Sequence, residues 1–292
     1  MSSNSHYFDL KDYSFKETPK SVRIFWSIMK YVVLVIACLL VIIPLLTVLI
    51  GSFKTKQELL HTSAFVLPKS LEWSNYAHAF TNGRVLEGLG NTLFIVVVSC
   101  IGSVVTGTMT AFVLQRFNML FTRLIKAVFL ATALLPTITM QISVYQIAVK
   151  LHIVNTYAAP LLLYIGTDII AVTIFIQFLD NISVSLDESA ILDGCSYPRV
   201  YWSIILPMLR PAIATVLVMR FVAIYNDFYT PYLYMPNHRV VSTALKDLTT
   251  GSNVSWNVVF AGVIICIIPS LIIFLSMQKS IYSNLVSGSV KE

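Results

Sequence analysis

Six stretches of the chain, each about 20 residues or longer, run with almost no charge. A stretch of that length and apolarity satisfies its backbone only as a helix across a bilayer. The six cover 31–50, 88–114, 127–149, 157–179, 211–235 and 258–277. The third carries Pro136 and the sixth Pro269; the fourth is interrupted by Asp168, and the fifth by Arg220, Asn226 and Asp227. Prolines are tolerated in such helices when neighbours re-satisfy the freed carbonyls. Of the 292 residues, 57% are hydrophobic and 12% charged, against about 25% charged in an average soluble domain. That balance excludes an ordinary soluble enzyme, a disordered chain and a nucleic-acid binder. The first run is no cleavable signal sequence, because its apolar core is too long and no A-x-A site follows. The sequence predicts an all-α integral membrane protein with six transmembrane helices.

Orientation follows the Lys/Arg bias of the connecting segments. With the N-terminus inside, the inside segments hold twelve basic residues: Lys11, Lys16, Lys20, Arg23, Lys30, Arg116, Arg123, Lys126, Arg199, Arg210, Lys279 and Lys291. The outside segments hold seven, namely Lys54, Lys56, Lys69, Arg84, Lys150, Arg239 and Lys246. The short basic loop 115–126 decides the direction. Both termini are then cytoplasmic, in the plasma (inner) membrane. A cytoplasmic tail, 1–24, precedes a membrane domain, 25–282, and a second cytoplasmic tail, 283–292. Segments 54–87 and 236–257 fall outside, the latter with Gly251, Ser252 and Asn253 as turn formers. The net charge of +6 thus carries topology rather than pointing to an acidic partner. Cys38, Cys100, Cys195 and Cys266 show no CxxC pairing, so neither a disulfide framework nor a zinc site is expected.

The internal segment 180–210 is the most informative. Ser185 and Glu188 have the S-x-x-E spacing of a capping box. Leu186, Ala190 and Ile191 can share an apolar face, and Gly194 suits the left-handed position that closes a short helix. A second helix can start near Ser196, with Pro198 early in it, and run to a break at Leu206-Pro207. On local physics alone, two short helices at an angle read equally well as an interfacial linker of any transporter.

The residues themselves resemble something more specific. Glu188-Ser-Ala-x-x-Asp-Gly194, followed by Ile205-Leu-Pro207, is similar to the EAA motif of ABC importer permeases. The nearest likeness is the carbohydrate-uptake branch, in particular its maltose-transporter-type second permease subunit. Ser52-Phe-Lys-Thr-Lys-Gln-Glu58, Leu67-Pro68 and Asn75-Tyr76 match that branch's external segment. Tyr225-Asn-Asp-Phe228 with Pro231 resembles its W-N-D-F-x-x-P stretch, and Ile268-Pro269 and Gly288-Ser-Val-Lys291 its last span and tail. The departures are Ser183-Val-Ser-Leu186 in place of Pro-x-Glu-Leu, Ser189 in place of the first alanine, and Tyr225 in place of tryptophan.

The resemblance implies the type I ABC importer fold, with a cytoplasmic coupling helix between spans four and five (coupling segment 183–210). It implies a permease that transports a sugar of the oligosaccharide class and forms half of the translocation pathway. Its partners would be a second homologous permease subunit, two ATPase subunits, an extracellular solute-binding protein and membrane lipid, with no nucleic acid. ATP and Mg would be bound by the ATPase subunits; this chain has no G-x-x-x-x-G-K-[ST] sequence and would need no cofactor, metal or catalytic residue of its own. Glu188, Ser189, Ala190, Asp193 and Gly194 would make the ATPase contact. The alternative function is an ABC importer permease for a non-sugar solute. A self-contained transporter would show a duplicated half, and an intramembrane enzyme would show paired Asp, Ser/His or H-E-x-x-H; neither pattern is present.

Several residues keep two readings. Glu188 can cap its own helix, contact the ATPase, or both. Tyr225, Asn226 and Asp227 can line the sugar path or bond helix to helix. Asp168 and Arg220 each lie about 15 Å deep at 1.5 Å rise per residue. They can face a watery cavity separately or pair across spans four and five, and Asp227 competes for Arg220.

Overall fold

The computed structural model describes residues 20–289 apart from 118, 134–136, 167 and 251–253. Residues 1–19 of the expected N-terminal tail, the turn at Gly251 to Asn253, and residues 290–292 lie outside it. The chain divides into two compact units, Met1–Val48 and Leu49–Glu292. The first holds most of α1 (Lys20–Ser52), an apolar helix with Pro44 inside it.

All the regular elements among the described residues of the second unit are helical. Two short helices, α2 (Lys56–His61) and α3 (Ser74–Thr81), precede α4 (Val85–Arg116). α5 (Leu120–Ala133) and α6 (Thr137–Lys150) follow, then α7 (Ala158–Ile165), α8 (Ile169–Leu179) and α9 (Val184–Leu192). The next stretch is α10 (Tyr197–Val200), a π-helical turn (Tyr201–Ile205) and α11 (Leu206–Met208). α12 (Arg210–Tyr225), α13 (Tyr229–Tyr234), α14 (Val241–Leu248) and α15 (Trp256–Ser289) complete the chain. Among the described residues four helices are long and apolar enough to cross a membrane, or five if the pair bent by 73° at Leu209 counts as one.

At 1.5 Å rise per residue the 32 residues of α4 reach about 48 Å, which sets two ends for the unit. α4 packs against α3, α7, α8, α12, α14 and α15. Its contact with α8 is close because position 107 is glycine: a Cβ there would stand 3.1 Å from the Phe175 ring. Two apolar cores lie along α4. One gathers Ile95, Tyr164, Phe221, Tyr225 and Val241. The other gathers Phe112, Phe175, Leu179, Val200 and Ile205.

The near end of α4 carries the segment around residues 52–76. Thr55 and Glu58 form a capping box, Thr55 Oγ1 accepting from Glu58 N at 3.2 Å and Glu58 Oε2 accepting from Thr55 N at 3.2 Å. Asn75 Nδ2 donates to Ser52 O (2.8 Å) and Lys54 O (2.9 Å), and Asn257 Nδ2 donates to Asn75 Oδ1 (2.7 Å). The motif residues of this segment therefore brace it against the start of α15.

The helix ends depart from the expected ones. α1 begins at Lys20, inside the expected 1–24 tail, and α15 continues to Ser289, past the expected end of the membrane domain at 282. The third expected span falls on α5 and α6, which flank residues 134–136. The fourth and fifth expected spans are each divided, the fourth into α7 and α8 and the fifth into α12 and α13.

Candidate functional site

At the far end of α4, α9 presents two faces. Ser183, in an extended conformation, caps the helix, its Oγ accepting from Ser185 N at 3.3 Å. The cap is thus two residues before the expected Ser185, and Glu188 is not part of a capping box. Asp187, Ala190 and Ile191 turn inward at i, i+3 and i+4. Leu186, expected on that face, is exposed, and Asp187 takes the buried position. Glu188, Ser189, Asp193 and Gly194 are exposed, and Leu192 between them is 88% exposed. Gly194 has φ +88°. Its N–H donates to Ile191 O and the Cys195 N–H to Ala190 O, both at 2.9 Å, which together make a Schellman closure. No atom stands within 4 Å of where a Gly194 Cβ would be, so the backbone angle alone requires glycine. Beyond it Ser196 leads into α10 with Pro198 in the first turn. The helix passes through Pro207 and bends at Leu209, not at Leu206-Pro207 as expected. Pro207 follows directly on the π-helical turn Tyr201–Ile205, one of the local adjustments by which a helix accommodates proline.

α9 is fastened to the end of α4. Arg116 Nε lies 2.6 Å from Asp187 Oδ2, with both side chains 6–7% accessible, and Arg116 Nη2 donates to Ile182 O at 2.9 Å. Among the described residues Asp187 Oδ1 meets no donor. Burial holds the Asp187 carboxyl above its ordinary value, more than Arg116 lowers it, and the neighbouring Glu188 adds to the rise. Thr108 Oγ1 and Tyr201 Oη are 2.7 Å apart, and the rings of Phe112 and Phe117 meet those of Tyr201 and Tyr197. Arg116 and Asp187 belong to no motif in the sequence; the only local signal is a basic residue ending an apolar run and an acid beside the motif glutamate.

The division of the span into α7 and α8 explains the charges inside it. Asp168 caps α8, its Oδ1 accepting from Ile170 N (3.0 Å) and Ala171 N (3.3 Å). Its Oδ2 lies 3.1 Å from Arg220 Nη1 on α12. Arg220 Nη2 donates to Tyr164 O in the last turn of α7, and Thr106 Oγ1 on α4 donates to Ile165 O at 3.1 Å. A cation thus meets the C-terminal carbonyls of α7 and an anion the N-terminal amides of α8, each matching the local helix dipole. The structure brings Asp168 and Arg220 together. Asp227 takes a different partner, Oδ2 accepting from Tyr164 Oη at 2.9 Å and Oδ1 from Thr230 N at 3.2 Å. Tyr164 therefore joins the two breaks, through its carbonyl to Arg220 and its hydroxyl to Asp227.

Tyr225 is buried and its hydroxyl donates to Cys266 O on α15 at 2.6 Å, with its ring stacked on Phe221. Asn226 is exposed, its Nδ2 donating to Val222 O at 2.9 Å. A cavity of about 140 Å³ opens between α8 and α12 beside Asp168, Met219 and Arg220. Among the described residues no group of three or more His, Cys, Asp or Glu could hold a metal ion.

The architecture is that of a type I ABC importer permease. A crystal structure of a bacterial ABC transporter involved in the import of the acidic polysaccharide alginate superposes with a TM-score of 0.80, covering 90% of this chain and 98% of that one at 20% identity. The chain belongs to the family described as binding-protein-dependent transport system inner membrane component, whose model matches residues 103–285. It is accordingly a multi-pass membrane protein and a transport permease, not an enzyme. It is 33% identical to the probable starch degradation products transport system permease protein AmyC of Thermoanaerobacterium thermosulfurigenes, over 88% of this chain and 94% of that one. It is 27% identical to the diacetylchitobiose uptake system permease protein NgcG of Streptomyces coelicolor (91% and 89%), and 28% identical to the galactooligosaccharides transport system permease protein GanQ of Bacillus subtilis (92% and 96%).

Proposed function

We propose that the chain is one permease subunit of an ATP-driven importer of oligosaccharides. It would form half of the pathway beside a second, homologous permease, receive sugar from an extracellular solute-binding protein, and dock two separate ATPase subunits that bind ATP and Mg. Both termini and the 183–210 segment face the cytoplasm in this reading. The observation that carries it is α9: a short helix, capped at Ser183 and closed at Gly194, with Glu188, Ser189, Leu192 and Asp193 open on its outer face while Asp187 and Ala190 fix its inner one. Such an element can be gripped and moved without deforming. The sugar class is supported by the relatives named for starch degradation products, diacetylchitobiose and galactooligosaccharides.

Within the pathway, Asn226 is the residue of the 225–227 set whose side chain is open, so we assign it to the sugar path and leave Tyr225 and Asp227 to helix–helix bonding. The test is reconstitution of the permease pair, the ATPase and the binding protein in lipid vesicles. ATP-dependent uptake of a labelled maltooligosaccharide or galactooligosaccharide, competed by neither free amino acids nor phosphate, is expected. Uptake of a non-sugar solute with no oligosaccharide uptake would overturn the reading.

A further inference from the structure

α9 is joined covalently to α8 on one side and, through α10 and α11, to α12 on the other. These are the obvious routes for any displacement of α9, yet both are interrupted. Following α8 away from α9 leads to its separation from α7; following α12 leads to its separation from α13. α4 is not a sequence neighbour of α9 and has no break in 32 residues. Its last turn holds α9 through the buried Arg116–Asp187 pair and the Arg116 bond to Ile182 O. Its first turns hold the segment leading into α14: Asn91 Nδ2 donates to Arg239 O at 2.7 Å, and Thr92 Oγ1 accepts from Val241 N at 2.9 Å. From Thr92 to Arg116 the helix covers about 36 Å. One continuous rod is thus bonded to α9 at one end and to the 239–241 segment at the other.

We propose that α4 carries displacement of α9 to the opposite end of the subunit, and that Arg116 and Asp187 are the positioning residues that engage it. The pair suits this role because it is dry: two charges excluded from water hold each other, and neither can swap to solvent without a penalty. α4 also packs on both halves of the fourth span, α7 and α8, and on α12 and α14, so moving it moves these elements together. This proposal rests on the reading of α9 as the ATPase contact.

The experiment uses the whole importer in vesicles and measures sugar taken up per ATP hydrolysed, with sugar-loaded binding protein present. Asp187→Asn, in assembled complex, is expected to cut that ratio at least tenfold while hydrolysis persists. Asp187→Glu, which keeps the charge, is expected to recover most of it. Should Asp187→Asn yield no complex, the apolar replacement Arg116→Met with Asp187→Leu leaves no stranded charge, and its ratio is expected to fall likewise. A ratio equal to wild type in assembled Asp187→Asn or in the apolar double variant would overturn the proposal while leaving the importer reading intact. Absence of ATP-dependent uptake by the wild-type complex would instead overturn the importer reading itself.

Discussion

Asp168–Arg220 and Asp187–Arg116 pair the same two side-chain types across sequence-distant segments, but in unlike surroundings. At Asp168 both carboxylate oxygens are used, one by two amides of α8 and the other by Arg220, whose second arm binds the end of α7. At Asp187 one oxygen holds Arg116 and the other meets no donor among the described residues. The first pair closes a break within one span; the second fastens a separate helix to its neighbour. A buried charge pair is retained at a net cost unless its remaining valences are filled. Asp168 fills them with helix ends that would otherwise be bare in the membrane. Asp187 does not, so its presence points to a joint rather than to stability.

The largest expected effect separates the pairs by removing one charge at a time within the span. Arg220→Gln strands Asp168 and uncaps Tyr164 O, a loss of about 3–5 kcal/mol on the scale for broken buried pairs. Asp168→Asn is expected to lose less, because asparagine can still cap α8. The double variant should recover part of the loss, whereas Arg220→Gln with Asp227→Asn should not; strict additivity of Asp168 with Arg220 in yield of assembled complex would break the assignment. Next in size is Tyr164→Phe, which removes the donor to Asp227, at about 1.5–3 kcal/mol for a hydrogen bond to a charged group. Its signature is a lowered thermal midpoint of the purified subunit, and an unchanged midpoint would mean the two breaks are not joined there. Gly194→Ala should cost about 1–2 kcal/mol for a side chain in the left-handed region. Gly194→Asp adds a charge on the exposed face and should abolish uptake while the complex still assembles; normal uptake would contradict this.

The smallest effect is on pH. Because the folded Asp187 carboxyl titrates above its ordinary 3.8, the folded state binds more protons than the unfolded between those two values. Stability contributed by this group therefore falls as pH rises through that window and is level above it. A carboxyl infrared band lost in Asp187→Asn and titrating above the ordinary range would report it; titration at or below 3.8 would mean that pairing with Arg116 outweighs burial.

Much of this was legible in the sequence where one physical scale decides the outcome. Hydropathy located the spans, and rise per residue put Asp168 and Arg220 level. Gly194 was legible because only glycine suits its backbone angle. Ser183 and Ser185 were not separable by local spacing: both can cap, and the choice follows from burying Asp187, a tertiary event. The separations of α7 from α8 and of α12 from α13 were hidden because Gly166 and Asn226 sit inside apolar runs whose average hydropathy stays high. The role of Asp187 is not legible locally because its partner is 71 residues away, at the end of α4.

The most direct test compares Asp168→Asn with Asp187→Asn in the same reconstituted importer, recording both the yield of assembled complex and sugar uptake per ATP hydrolysed. The expected result is a division of labour: Asp168→Asn lowers yield and leaves the ratio of surviving complexes near wild type, whereas Asp187→Asn leaves yield near wild type and lowers the ratio at least tenfold. The same pattern in both variants would contradict the assignment of one pair to holding the span and the other to transmitting motion.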